Sequence, residues 1–394
     1  MTEYLIAGNG VAGTTAAEQI RKQDSDGDIT MITDEDLPFY WRIQLNEFIS
    51  GEKTEEDLLA KSRDWYQKQR IRLELNTPIT TGDAAKSTLV SEGGRTYPYD
   101  KLLLATGSHS FVPPIKGSDK NGVFTLRNVG DARAIKGHAS KPGDVVLIGG
   151  GLLGLEAGHA LRKLDKGVTV VEFFPRLLPR QLDDEGASRL QAILEEMGFA
   201  FRLGAKTEEI TGADSAAGIR LEGGELLDAG MVLVSAGVRP NLELADALGL
   251  ETDKGVKVNE RLRTGRPEIF AAGDLVEWNG MPYGIWPAAM EQGRIAGANM
   301  AGGDLTYEGT TMANNLKVAG IDLASAGEID AEGRHESRTL KTGKVYKKVV
   351  FDGNRIIGCI MLGDIKGFNR ITKAMKEEQD ISGMMDRVLT EWTS

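Results

Sequence analysis

The chain has 394 residues, 41% of them hydrophobic and 27% charged, a balance that excludes a disordered, collagenous or disulfide-stapled chain and leaves room for two to four domains of roughly 100 to 200 residues. Its 58 acids against 47 bases give a net charge of −11, which argues against nucleic acid or an anionic membrane as partner, because phosphate binding rests on clustered Lys and Arg. One cysteine, Cys359, leaves no intramolecular disulfide, redox CxxC pair or cysteine zinc cage, and His109, His138, His159 and His335 are scattered without metal-ligand spacing.

Tyr4–Ala7 spells a short apolar strand that runs into GNGVAG (Gly8 to Gly13) and an Ala-rich helix through Ile20 and Arg21. A second strand over Ile29–Ile32 leads to Asp34, 26 positions after Gly8, close to the spacing at which a dinucleotide-binding fold sets an acid on the ribose hydroxyls. The same order returns at Val145–Ile148, GGGLLG (Gly149 to Gly154) and the helical run LEAGHALRKL. Its second strand, Val168–Val171, leads to Glu172, 23 positions after Gly149. The first glycine of each turn (Gly8, Gly149) permits the tight bend, the second (Gly10, Gly151) lets backbone approach a pyrophosphate, and the third (Gly13, Gly154) lets helix and strand pack closely. A single GxGxxG is weak evidence. Two copies, each between strand and helix and each followed by an acid, imply two dinucleotides, one held and one exchanged, and hence an electron-transfer enzyme.

From about Gly309 the texture changes to alternating strands, LKVAGIDLASAGE and then KVYKKVVFDGNRIIGCIMLGD, closed by the helical stretch IKGFNRITKAMKEEQ. The DGN reads as a tight hairpin turn. The expected fold class is α/β: two Rossmann-like dinucleotide-binding domains plus a C-terminal α+β domain. The first domain is expected at 1–110 and 240–308, the second at 111–239, and the C-terminal one at 309–394.

Five stations occur in order: GNGVAG with Asp34; LLLATGS (Leu102 to Ser108); GGGLLGLE (Gly149 to Glu156) with Glu172; VSAGVRPN (Val234 to Asn241); and PEIFAAGD (Pro267 to Asp274). With them the chain resembles the two-dinucleotide flavoproteins of the pyridine nucleotide-disulfide oxidoreductase superfamily over essentially its whole length. LPFYWRIQLNEFISG, DLLAKSRDWYQKQRIRL and LKVAGIDLASAGE bring it nearest to the NADH:rubredoxin oxidoreductase group and the nitrite-reductase flavin module. The resemblance implies FAD and NADH as cofactors. It sets Asp274, after Gly273, on the flavin ribityl chain, Thr106 and Gly107 at the crossing between domains, Arg42 on the FAD phosphates and the backbone near Ile79 at the adenine. Gly237 belongs to the VSAGVRPN station. Glu156 would contact the nicotinamide, and Glu47 stands where relatives often carry a lysine, so these two glutamates are the catalytic candidates. If they approach one another, like charge should raise one proton affinity.

Glu172 at a strand end accepts ribose hydroxyls and repels a 2′-phosphate, which favours NADH, although Arg176 nearby offers a rival phosphate contact. Cys359, inside IIGCIML, reads as a packed residue. Phe39, Tyr40, Trp41 and Trp286 read as core with an option on the flavin. Lys341, Lys344, Lys347, Lys348, Lys366, Arg370, Lys373 and Lys376 read as a solvated basic face able to steer an acidic electron carrier. The expected reaction passes electrons from NADH through flavin, with no redox cysteine, to rubredoxin or another small iron-sulfur protein. The rivals are a flavin subunit of a larger redox complex and an NADH oxidase or slow redox-signalling flavoprotein. With no long apolar window and no signal-type N-terminus, the chain is expected to be cytoplasmic, with no membrane or nucleic-acid partner and no metal.

Overall fold

The computed structural model describes residues 1–310 and 313–392, the side chains at 313–316 excepted. Its fold is α/β, and the chain divides into two compact units. The first comprises Met1–Gln44, Lys53–His109 and Val238–Thr310; the second comprises Leu45–Glu52, Ser110–Gly237 and Thr311–Ser394.

In the first unit five parallel strands lie in the order Ile269–Ala271, Lys101–Leu104, Glu3–Ala7, Asp28–Ile32, Ile71–Glu74. Successive side chains alternate between two cores: Tyr4 and Ile6 enter one, Leu5 and Ala7 the other. A sheet buried on both faces needs continuous apolar strands, which is why these read as unbroken runs. Beside one face the helix Val11–Gln23 packs on Trp286–Met300. Gly293 and Gly297, one turn apart, let the two backbones close up: a Cβ at either would lie 2.4 or 2.5 Å from the carbonyl oxygen of Ala12 or Ala16. A three-stranded antiparallel meander, Ile79–Asp83, Thr88–Ser91 and Thr96–Pro98, contributes Leu89 and Tyr97 to the second core.

The second unit repeats this plan. Its parallel strands run Phe199–Leu203, Val168–Glu172, Val145–Ile148, Met231–Val234, Val123–Phe124, and a meander of Thr207–Thr211, Gly218–Leu221 and Leu226–Asp228 adds Ile210 and Ile219 to the core under Val146 and Ile148. The segment 45–52 departs from the expected first-domain boundary. Its helix Leu45–Ser50 packs on Val129–Ala139 and Leu152–Arg162, Lys136 stands 4.2 Å above the Phe48 ring, and Glu52 pairs with Lys163 at 2.8 Å.

The C-terminal residues form a five-stranded antiparallel sheet, ordered Ala313–Val318, Ile321–Gly327, Arg355–Leu362, Val345–Asp352, Glu336–Thr342. Gly353 and Asn354 make the hairpin turn, with Gly353 at φ +55°. The basic face is corrected here at two positions. Lys347 and Lys348 are buried, on opposite faces of one central strand, because both faces are covered. Lys347 Nζ donates to Asp364 at 2.8 Å, and that hydrogen bond holds the Asp364 carboxyl below its usual range. Lys348 Nζ pairs with Asp183 at 3.2 Å and donates to the Asp330 carbonyl at 2.8 Å. Asp183 also caps the helix Asp184–Glu196 through the Gly186 N–H at 3.0 Å and accepts the Tyr346 hydroxyl at 2.7 Å, and burial pushes that hydroxyl's pKa far up. Lys341 and Lys344 pair with Glu185 and Glu196 of the same helix. Lys366, Arg370, Lys373 and Lys376 remain exposed.

Candidate functional site

Each glycine turn forms a backbone cradle. The Gly8 N–H donates to the Ile32 carbonyl and the Gly149 N–H to the Val171 carbonyl, both at 2.8 Å, which ties each turn to the neighbouring strand. Gly8 (φ +119°) and Gly149 (φ +113°) occupy backbone that side-chain-bearing residues rarely adopt, and a Cβ there would sit 2.1 Å from the Ala105 oxygen or 2.3 Å from the Ser235 oxygen. A Cβ on Gly13 would meet the Gly8 oxygen at 2.1 Å, and one on Gly154 the Gly149 oxygen at 2.7 Å. Gly10 and Gly151 differ: nothing lies within 4 Å of a Cβ at either. Both are helix N-caps without a side-chain cap, and neither helix has an acid in its first turn. Unpaired N–H groups at the positive end of a helix dipole, beside a glycine open to approach, fit a pyrophosphate in both units.

In the first unit Asp34 is exposed, two residues past its strand, with its carboxylate 3.5 Å from the Thr33 hydroxyl. Glu35, next to Asp34, pairs with Arg42 at 2.5 Å and accepts the Tyr40 hydroxyl. The Asp274 carboxylate accepts the Ser108 hydroxyl at 2.9 Å, and the Gly273 N–H donates to Gln292 Oε1 at 2.8 Å. Thr106 and Gly107 are fastened by Asn241, which donates from Nδ2 to the Thr106 carbonyl at 2.7 Å and from its N–H to the Gly107 carbonyl at 3.0 Å. Ile79 opens the first strand of the meander, paired with Ser91. Phe39 and Trp41 stack on Trp286 at 6.0 and 5.5 Å.

In the second unit Glu172 is buried and both its oxygens hold backbone: Oε2 accepts the Gly150 N–H at 2.6 Å and Oε1 the Phe174 N–H at 2.8 Å. Arg176 is turned away to Asp184 at 3.1 Å and the Pro179 carbonyl at 3.4 Å. Gly237 follows the strand Met231–Val234 as Gly107 follows Lys101–Leu104, both with positive φ.

Residues 2–293 match the family described as pyridine nucleotide-disulphide oxidoreductase, and residues 313–379 match the rubredoxin NAD+ reductase C-terminal domain. The chain belongs to the pyridine nucleotide-disulphide oxidoreductase family. FAD and NADH are the cofactors that this family uses. The chain is 35% identical over 386 residues to a nitrite reductase [NAD(P)H] of Bacillus subtilis, covering 96% of this chain and 48% of the relative. It is 30% identical over 397 residues to the NADH-rubredoxin oxidoreductase of Clostridium acetobutylicum, covering 98% of both. Among solved structures, the NAD-dependent persulfide reductase from A. fulgidus superposes with a TM-score of 0.89 at 28% identity, covering 97% of this chain and 78% of that one. The chain spans about half the length of the nitrite and nitrate reductase relatives it matches.

The two glutamates that stand out in this family member share the second unit. Glu156 lies on the helix of the second glycine turn, and its Oε1 accepts the Ala319 N–H at 2.7 Å. Burial raises its proton affinity, and the charge of Glu47 raises it further, against the Ala319 N–H and Lys163, which lower it. The single cysteine is buried in the C-terminal sheet, and desolvation raises its thiol to about 12, which leaves it unreactive near neutral pH. Among the described residues no helix is long and apolar enough to cross a membrane, and no group of three or more His, Cys, Asp or Glu is placed to hold a metal ion. Sequence reasoning missed Glu35, Ser108, Asn241 and Asp183. Glu35 had a usable signal in its position next to Asp34; the other three are recognisable only by partners far along the chain.

Proposed function

We propose that this chain takes electrons from NADH and delivers them through FAD to a small one-electron carrier, a rubredoxin or another iron-sulfur protein. The observation that carries this reading is the full-length likeness to an NADH-rubredoxin oxidoreductase, continued by the rubredoxin reductase C-terminal match over 313–379. FAD, when bound, supplies two-electron acceptance and release of electrons one at a time. The chain's residues bind, orient and select. The first glycine turn, with Gly8, Gly10 and Gly13, would hold the FAD pyrophosphate; Arg42, held by Glu35, would neutralise its charge; Asp34 and Asp274 would take hydroxyls; and backbone near Ile79 would meet the adenine. Thr106 and Gly107, fixed by Asn241, line the same unit. The second turn, with Gly149, Gly151 and Gly154, would hold NADH. No sulfur is available for a thiol relay, since Cys359 is buried in the C-terminal sheet.

Glu172 supports NADH over NADPH. An ionised carboxylate has about four lone-pair sites. Two are used by backbone N–H groups, which leaves two for the ribose hydroxyls and a full charge against a 2′-phosphate. Arg176, already paired, offers that phosphate little. In Glu172→Ala the ratio of kcat/KM for NADH over NADPH should fall by about tenfold or more, the worth of a charge-assisted hydrogen bond of about 1.5 to 3 kcal/mol. An unchanged ratio sinks the assignment.

The acceptor itself is tested by reducing the flavin anaerobically with NADH and mixing it with rubredoxin, ferredoxin, a quinone and oxygen. Fast reoxidation by an iron-sulfur carrier alone supports the reading, and reoxidation by oxygen alone overturns it. A second reading, a flavin module that feeds a larger nitrite- or nitrate-reducing enzyme of the cytosol, is favoured by one fact: this chain matches only about half of those relatives. Copurification with an iron-sulfur subunit would decide for it.

A further inference from the structure

Within the second unit, the helix Leu45–Ser50 brings Glu47 into electrostatic reach of Glu156 on the helix Leu152–Arg162. Glu47 Oε2 and the neighbouring Asn46 Oδ1 are shut off from water and have no hydrogen-bond partner. Burial, and beyond it the nearby Glu47 charge, disfavours the ionised form of Glu156.

One oxygen of Glu156 has a structural task. Ala319, whose N–H it accepts, is the apex of the hairpin between Ala313–Val318 and Ile321–Gly327, closed by the pairing of Val318 with Ile321. Ala319 is buried and adopts φ +52°, with Gly320 at +82°. An alanine in left-handed backbone is strained, so this turn is held from outside, and the bond to Glu156 supplies a hold.

We propose that Glu156, on losing its proton, is the latch that fastens the first C-terminal hairpin to the helix of the second glycine turn, with Glu47 as the neighbouring charge that opposes that loss. Ionised Glu156 accepts the Ala319 N–H as a charge-assisted bond, about twice as strong as a neutral one, so the hairpin seats more firmly as pH rises through the titration of Glu156. On the same helix Lys163 is tied to Glu52, while burial, and then Lys163, pushes the His159 imidazole down. Lys136 faces the Phe48 ring from the helix Val129–Ala139. Lys317 and Asp322 flank the hairpin turn on its own strands. The hairpin lies in the stretch matching the rubredoxin reductase C-terminal domain, so the latch couples a nucleotide-facing helix to that domain whatever the acceptor proves to be.

The Ala319 amide resonance of nitrogen-15-labelled holoprotein, followed against pH, reads the latch directly. In the wild type it should move as Glu156 ionises, with a midpoint above the ordinary glutamate value of about 4.3. Glu47→Gln keeps the shape and removes the like charge, so the midpoint should fall. Glu156→Gln should abolish the titration and speed hydrogen exchange at Ala319. An Ala319 amide that titrates in the ordinary carboxylate range, or a midpoint indifferent to Glu47→Gln in a protein with unchanged circular dichroism, overturns the proposal. If Glu156→Gln fails to fold, the wild type and Glu47→Gln still decide between these outcomes.

Discussion

The two glycine turns share a backbone and differ in their acids. In both, the first glycine presses on a carbonyl at the end of the same relative strand, the third presses on the first, and the middle one is open. After the strand that follows, the first unit leaves Asp34 exposed and commits Glu35 to Arg42, whereas the second buries Glu172 and locks it to two backbone N–H groups. The difference teaches that the motif sets where a pyrophosphate goes, while the residues at or just past the end of the second strand decide how firmly the acid is aimed. A rigid, backbone-bonded Glu172 suits discrimination between two nicotinamide nucleotides. An exposed Asp34 beside an arginine-holding glutamate suits charge neutralisation.

The second unit carries a further burden absent from the first, its attachment to the C-terminal sheet through Asp183, and the largest effect is expected there. Asp183→Ala leaves Lys348 buried without its counter-charge and should cost about 3 to 5 kcal/mol. Denaturant unfolding measures this, and a loss of only about 1 kcal/mol, the worth of a helix cap, would mean that Lys348 is not carried by the pair. Next come Gly8→Ala and Gly149→Ala, each expected to cost about 2 to 4 kcal/mol from left-handed backbone plus overpacking. They also separate the units: Gly8→Ala should lose FAD, and Gly149→Ala should stay yellow while NADH no longer reduces it. Loss of flavin from both variants alike would break the comparison. The smallest effect belongs to Cys359→Ala, which should change turnover by less than tenfold, about 1.4 kcal/mol, and the folded wild type should resist thiol reagents at neutral pH. Rapid modification of the native thiol would contradict its burial.

The turns were legible in the sequence because each glycine answers a steric demand made by residues within one strand, turn and helix, or by the end of an adjacent strand. Arg42 was legible from the resemblance but its partner Glu35 was not, because nothing local singles out Glu35 from the neighbouring Asp34. The lysines failed for a different reason. KVYKKVVFD carries two adjacent charges, and adjacent strand residues face opposite ways, so a sheet with one wet face would bury at most one. Here Asp183 lies on one side, from a segment far away in the chain, and Asp364 on the other, 17 residues from Lys347 and past the next strand. Nothing local in the sequence announces either acid as a partner. Residues 45–52 group with the second unit for a like reason, because the helices they pack on begin at Val129 and Leu152.

That interleaving has a consequence for how the chain is made. Each unit draws on three separate stretches, and the last stretch of the first unit begins at Val238, after most of the second has been synthesised. During translation the opening strands of the first sheet must wait for Ile269–Ala271, and the helix Leu45–Ser50 must wait for its partners beyond Val129. Contacts this distant close large loops before they are rewarded, which slows folding and leaves apolar edges uncovered in the interval. A nascent chain released before residue 238 therefore carries a nearly finished second sheet beside an unfinished first one, and it is the natural client for a chaperone that shields hydrophobic strands.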